Sequence, residues 1–302
     1  MYYHVHPAHK KREEVITLIA TTYNAEEGLE AWCESIVKQT RKPDEVIIVD
    51  GGSTDRTLDI LRNYPFRVIY RPDLNTKYHK SPVAAGRNVA IQEAENGIIC
   101  VTDAGCVLSQ KWLERIVEPF RHPEVEVVGG AYGGMVTTPF SMRVSVFLSR
   151  DSLIITEFSS RSIAFRKRLW ALVGGYPEVS LTGEDTLFNR AIKGAKSAFA
   201  QEAVVFWHSP RTWREFARLQ YRYALGDGYS LIRRASYAKI AGKYAVAVVL
   251  TFYGLWWVAV LGLTAILWKQ DVELKVVSDV SKTFGYARGI LSRIIDNYTE
   301  PK

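Results

Sequence analysis

The first hundred residues alternate between short apolar runs and amphipathic helical patterns, and that alternation limits the chain to a small set of architectures. The runs EVITLIATTY, DEVIIVD, FRVIYR and GIICVT are too short for helices and rich in β-branched residues, so they read as strands. Between them EEGLEAWCESIVKQ, TDRTLDILRNY and SPVAAGRNVAIQEA have helical spacing, as at Leu29, Trp32, Ile36 and Val37. Continuously apolar strands interleaved with helices predict an α/β chain: a Rossmann-like, mostly parallel sheet covered by helices. Ligands of such sheets bind beyond the carboxyl ends of the strands. Those ends carry Thr21-Thr22-Tyr23-Asn24, Asp50-Gly51-Gly52-Ser53-Thr54-Asp55 and Thr102-Asp103-Ala104-Gly105, so hydroxyls, an amide and carboxylates converge on one rim. Taken singly, Ser53 or Thr54 reads equally as a helix cap and Asn24 as a turn residue. Neither a G-x-x-x-x-G-K-[ST] loop nor a G-x-G-x-x-G fingerprint follows the first strand, which excludes both of those phosphate cradles.

The chain's ends differ from this body. Residues 1–14 lack the apolar segment of a secretory signal and predict a short tail. From Ala245 to Trp268 there are 24 consecutive residues without a charge. As a helix that run reaches about 36 Å, enough to cross a hydrocarbon core of roughly 30 Å. Basic residues flank it on both sides, so orientation is not decided; a single crossing and a shallow hairpin turning near Gly254 both remain open. Beyond it, Val276, Val277, Val280, Phe284, Ala287, Ile290, Leu291, Ile294 and Ile295 recur at helical spacing, the pattern of an interfacial amphipathic helix. The predicted organisation is thus a tail (1–14), a body (15–234), a membrane-anchor segment (235–270) and an amphipathic C-terminal segment (271–302).

Three cysteines without a C-x-x-C pair argue against a disulfide framework or a cysteine-rich zinc site, and for a reducing compartment. The excess of 39 Lys+Arg over 32 Asp+Glu suits nucleic acid, anionic lipid or a phosphorylated substrate and by itself does not choose among them. The basic residues gather beside the apolar run rather than among exposed aromatics, so no nucleic-acid partner is expected.

Seven ordered pieces, IATTYNAEEGLEAWCESIVKQT, EVIIVDGGSTDRTLDIL, AAGRNVAI, TDAGCVLSQKWLERIV, SIAFRKRLWALVGGYPE, TGEDTLFNRAIKGAK and FWHSPRTWREFARLQYRYALGDG, resemble the family 2 inverting glycosyltransferases with the A-type nucleotide-diphospho-sugar fold. The resemblance spans about Val15 to Arg234. It implies a UDP- or GDP-type sugar donor held by Thr21, Tyr23 and Asp50 at the base, with Asn24, Glu26 and Ser53 nearby and Arg87 and Asn88 toward ribose and diphosphate. It implies that Asp103 is the first carboxylate of the D-x-D motif, that His208 occupies a metal-binding position, and that Mg²⁺ or Mn²⁺ is the cofactor. Asp185 matches the catalytic base, beside Glu184. Arg161 and Ser162 border the donor sugar, and Gln220 and Arg222 the acceptor channel. The expected acceptor is lipid-linked or a saccharide at the cell membrane, with the catalytic body facing the cytoplasm.

The physical chemistry agrees with these roles. A departing nucleoside diphosphate gathers negative charge that a divalent cation stabilises, and an inverting displacement needs one carboxylate to take the acceptor proton. Near a helix N-terminus Asp185 is expected to stay ionised. From pattern alone Glu184 and Asp185 read first as helix-start acids complementing the dipole, and it is the resemblance that makes Asp185 the base. Two departures stand out. Gly105 replaces the second D-x-D carboxylate, and the processive Q-x-x-R-W is absent, favouring single transfer. Arg214, Arg218, Arg222, Arg233 and Arg234 suit either a diphosphate or anionic lipid. The competing readings are a degenerate nucleotide-sugar-binding scaffold, prompted by Gly105, and a sugar-nucleotide pyrophosphorylase, opposed by the lack of a basic residue in TTYNAEEG.

Overall fold

A computed structural model describes residues 14–75, 81–152, 158–179, 182–255, 257–258 and 271–299. Eight strands form one sheet in the order β3-β2-β1-β4-β7-β6-β8-β5. The four expected strands are β1 (Ile16–Thr22), β2 (Glu45–Asp50), β3 (Arg67–Tyr70) and β4 (Ile98–Val101), all parallel. They alternate with helices α1 (Glu26–Val37), α2 (Thr57–Leu61) and α3 (Pro82–Glu93).

The other half is mixed, which corrects the mostly parallel expectation. β7 (Ile163–Arg166) runs antiparallel to both β4 and β6 (Val127–Met135), and β5 (Val107–Leu108) is antiparallel to β8 (Ser197–His208). Only β6 and β8 pair in parallel there. Helices α4 (Trp112–Val117), α5 (Pro139–Ser152), α6 (Lys167–Leu172) and α7 (Glu184–Ala191) complete the layers.

The period of two along each central strand explains the unbroken apolar runs. Ile16, Leu18 and Ala20 face one core with Val46, Ile48, Leu29, Trp32 and Trp112; Ile19 faces the other with Ile47, Val49, Ala84, Ile91 and Phe188. Both faces are covered, so neither set of positions tolerates polarity. All three cysteines are free and buried, and burial raises each thiol, Cys33 and Cys106 to about 12. None is a nucleophile at neutral pH.

Beyond the sheet, α8 (Trp213–Tyr229) leads into α9 (Arg234–Phe252), and α10 (Val272–Thr299) packs back along α8. The α8–α10 contact is backbone against backbone. A Cβ at Gly285 would lie 2.4 Å from the Tyr221 carbonyl oxygen, and one at Gly289 would lie 2.1 Å from that of Leu225. Gly285→Leu or Gly289→Leu therefore forces the helices apart. The expected loss is about 3 kcal/mol, the upper end for overpacking because the clash is with backbone, read as a lowered urea midpoint; an unchanged midpoint contradicts this packing.

Of the two forms left open for Ala245 to Trp268, a single unbroken helix is not formed, and the chain turns where the hairpin alternative placed its bend. α9 stops at Phe252, and Gly254 turns the chain at φ +75°. Residues 256 and 259–268 of that run lie outside the described residues. Among the described residues no helix is long and apolar enough to cross a membrane. The amphipathic segment is helical as expected. Its outward face bears Val280, Phe284, Leu291, Ile294 and Ile295, and α9 exposes Val246, Val248, Val249 and Phe252.

Candidate functional site

The carboxyl ends of β1 and β4 open on a cavity of about 450 Å³, whose far wall comes from α7, α8 and the turn into α9. Arg87, on α3, is the hub. It is 3% exposed and bridges two carboxylates, donating to Glu184 Oε1 at 2.7 Å and to Asp103 Oδ1 at 2.8 Å. Gly86 lets α3 approach closely: a Cβ there would meet Thr21 Cγ2 at 2.7 Å. Thr21 and Asp185 line the same cavity as Arg87, Asp103 and Glu184, so the structure brings these five predicted residues together.

Asp185 sits in the first turn of α7, which begins at Gly183 with φ +89°, a backbone conformation suited to glycine. Its Oδ1 accepts the Thr186 amide at 2.7 Å. The helix N-terminus does not set the carboxyl's environment alone. Burial, together with the charge of Glu184, outweighs Arg87 and the Thr186 amide and pushes the Asp185 carboxyl up to about 6. A base that must be ionised then loses activity as pH falls through about 6. We expect kcat/KM to rise with pH across that value and to flatten above it; a profile flat from pH 5 to 8 contradicts this environment for Asp185.

Several predicted residues have other work. Asp50 is fully buried, and its oxygens accept from Thr22 Oγ1 (2.8 Å), the Gly52 amide (3.0 Å), the Ser53 amide (2.8 Å) and Ser53 Oγ (2.7 Å). Asn24, at φ +46°, accepts the Thr54 amide at 2.8 Å and donates its own amide to Ser53 Oγ. Glu26 accepts the Arg56 amide at 3.2 Å. These four residues build the paired loop after β1 and β2, with Tyr23 half exposed beside it. Asn88 is corrected to a structural role: it donates to Tyr176 O and Glu178, and accepts from Trp170 Nε1 and the Tyr176 amide, clamping the Gly174-Gly175-Tyr176 turn. Ser162 is completely buried between Trp112 Nε1 and Ala203 O, away from the cavity. Gln220 accepts from Ser278 Oγ at the α8–α10 interface, not in a channel.

Arg161 and Arg222 do reach the site, and both also line an adjoining cavity of about 460 Å³. Arg161 donates to Tyr223 OH at 2.7 Å, packs its guanidinium 5.1 Å from the Trp207 ring, and lies 3.8 Å from Asp103. His208 ends β8 in this second cavity with Asp103. Among the described residues no group of three or more His, Cys, Asp and Glu side chains comes together as a metal cluster.

Sequence reasoning missed Tyr132, Asp227 and the pocket role of Thr182. Asp227 is 4% exposed; Arg233 donates to it at 3.1 Å and to Thr186 Oγ1 at 3.0 Å, and Tyr237 OH donates to it at 2.8 Å. Thr182 donates to Arg222 O, and Gly226 makes room for Thr182 against α8. The loop that presents Glu184 and Asp185 is thereby fastened to α8. A carboxylate flanked by glycines inside an apolar helix pattern, Gly226-Asp227-Gly228, was the available signal.

A mixed α/β sheet with a carboxylate-lined cavity at its parallel strand ends is the A-type architecture of sugar-transferring enzymes. The chain belongs to glycosyl transferase family 2, whose model matches residues 17–171, and the model for glycosyl transferase family group 2 matches residues 98–269. Glycosyltransferase AglE of Haloferax volcanii is 24% identical over 230 residues, 70% of this chain and 72% of its own. The O-antigen chain rhamnosyltransferase WbaN of Salmonella anatum is 29% identical over 224 residues, covering 67% and 69%. The mannosyltransferase PcManGT from Pyrobaculum calidifontis, solved with GDP-Man and Mn²⁺, superposes with a TM-score of 0.65 at 19% identity, over 94% of this chain and 88% of that one. TarS 1–349 of S. aureus, solved with UDP, gives 0.51 at 24% identity, over 70% and 65%. These structural likenesses are at the level of the fold.

Proposed function

We propose that this glycosyltransferase transfers a hexosyl unit, with inversion, from a UDP- or GDP-type sugar donor to a lipid-linked acceptor at the cytoplasmic face of a membrane, with Asp185 as general base. The observation that carries this reading is the Asp185 carboxyl, raised to about 6, on the wall of the cavity that also holds Asp103 and Arg87. A carboxylate raised toward neutrality is matched to removing a hydroxyl proton as the sugar bond breaks. Arg87 holds Asp103 and Glu184 in place, and Arg161 adds a fixed cation beside them. A lone base without a second unpaired carboxylate beside it favours one displacement, hence inversion. The exposed apolar faces of α9 and α10 support membrane attachment.

The donor set suits a divalent cation in a limited way. Asp103 and His208 line one cavity, and Mg²⁺ is commonly held by one or two carboxylates with phosphate oxygens completing its shell. When bound, the ion would neutralise charge on the departing diphosphate. We expect chelator to suppress turnover and added Mn²⁺ or Mg²⁺ to restore it; full turnover in chelator contradicts the cofactor. The reading itself is tested by calorimetry of UDP-, GDP- and dTDP-sugars against the purified chain. Base-selective binding supports it, and absence of binding across the panel overturns it.

A further inference from the structure

The second cavity contains charge that the transfer chemistry does not use. Arg214, Arg218 and Arg222 stand four residues apart on α8, along one exposed stripe. Like charges at that spacing repel one another. Among the described residues no carboxylate pairs with Arg218 or Arg222, and both line the second cavity. The acids nearby are already engaged: Arg211 draws Glu27 (3.1 Å) and Glu215 (4.0 Å), Arg161 faces Asp103, and Asp227 serves Arg233. Two uncompensated guanidiniums on a cavity wall match a phosphate or diphosphate, which each can meet with paired N–H donors.

We propose that the Arg218–Arg222 face of the second cavity binds a phosphate or diphosphate carried by the acceptor, so that the acceptor is a phosphate-linked saccharide. The inference rests on the sugar-transfer reading and names its second substrate's chemical class. Thr21, Arg87, Glu184 and Asp185 line only the first cavity, whereas Arg218 lines only the second. Arg222, Arg161, Asp103 and Ala104 belong to both. An acceptor hydroxyl at Asp185 and its phosphate at Arg222 and Arg218 therefore occupy adjoining spaces on the side away from Thr21. The row continues outward to the exposed Arg214, giving an approach path of one charge sign.

The test is calorimetry of inorganic pyrophosphate with the full chain in chelator, alone and with a saturating nucleoside diphosphate chosen from UDP, GDP and dTDP. Pyrophosphate should bind in both conditions. Arg218→Ala and Arg222→Ala should each weaken it at least tenfold with melting temperature unchanged, since both side chains are exposed, and Arg218→Ala, whose side chain lines only the second cavity, should leave nucleoside-diphosphate affinity unchanged. Displacement of pyrophosphate by the nucleoside diphosphate, with nucleotide affinity lost in Arg218→Ala, assigns the row to the departing nucleotide and overturns the proposal. Pyrophosphate binding that is absent, or indifferent to both substitutions, overturns it as well. Nucleoside-diphosphate binding in the same titrations tests the underlying reading separately, since its loss in the unaltered chain refutes sugar transfer whatever pyrophosphate does.

Discussion

Asp185→Asn is expected to lower sugar transfer by about 10²–10⁴-fold, the range that a positioned general base contributes, while donor binding stays intact. The amide keeps an oxygen for the Thr186 N–H that Asp185 Oδ1 accepts at 2.7 Å, so the start of α7 is preserved. What disappears is the capacity to take a proton. The same variant should melt higher than the unaltered protein at pH 8. A carboxyl whose folded value of about 6 exceeds its reference value of 3.8 binds its proton more tightly in the folded chain. Its stabilising contribution is complete below about pH 4 and is lost as pH rises through 6. The neutral amide escapes that loss, so the two melting temperatures should converge in acid. Transfer at the unaltered rate removes Asp185 from the chemistry, and a lower melting temperature at pH 8 contradicts its buried environment.

Arg87→Ala carries a large expected stability loss together with an effect on the base. The guanidinium is 3% exposed and satisfies Glu184, itself 12% exposed, together with Asp103 at 38%. Removing it strands one buried and one half-buried carboxylate around a cavity. Breaking such a pair costs about 3 kcal/mol, the lower end of the range because Asp103 keeps contact with water. For a chain of 302 residues that is a fall in melting temperature of about 5 °C. A merely structural loss would leave the pH profile in place. Arg87 is also the principal side-chain charge holding the Asp185 carboxyl down against burial. The acid limb should therefore move to higher pH in Arg87→Ala and return part of the way in Arg87→Lys, which restores one charge without the two-pronged bridge. A profile that does not move severs Arg87 from the base.

The parallel half of the sheet was legible because β1, β2 and β4 are apolar on both faces and each ends in polar residues. The antiparallel half was not. β6 reads Val-Val-Gly-Gly-Ala-Tyr-Gly-Gly-Met, and its glycines hide the strand signal. They are there for close packing: a Cβ at Gly129 would strike the Phe158 ring, and one at Gly130 would strike Ser162 Oγ. The site divided in the same way. Asp103, Arg87, Glu184 and Asp185 were implied by the family resemblance, and they meet in space. Asp50, Asn88 and Ser162 were assigned to ligands, yet their polar atoms bond within the protein, and Gln220 turns its carbonyl oxygen to Ser278. Sequence identifies a polar residue near a strand end but not the partners that three-dimensional packing gives it. The rise of the Asp185 carboxyl escaped for a related reason, since the helix N-terminus is visible in sequence and the burial that overrides it is not. The α8–α10 glycine seam was hidden because Gly285 and Gly289 acquire meaning only against the backbone of α8.

The central claim is a single-base displacement at Asp185, and the anomeric configuration of the first-formed product tests it most directly. NMR should follow donor turnover, with the product's anomeric signal read before mutarotation. The account predicts inversion relative to the donor, lost along with turnover in Asp185→Asn. A product that retains the donor's configuration contradicts it.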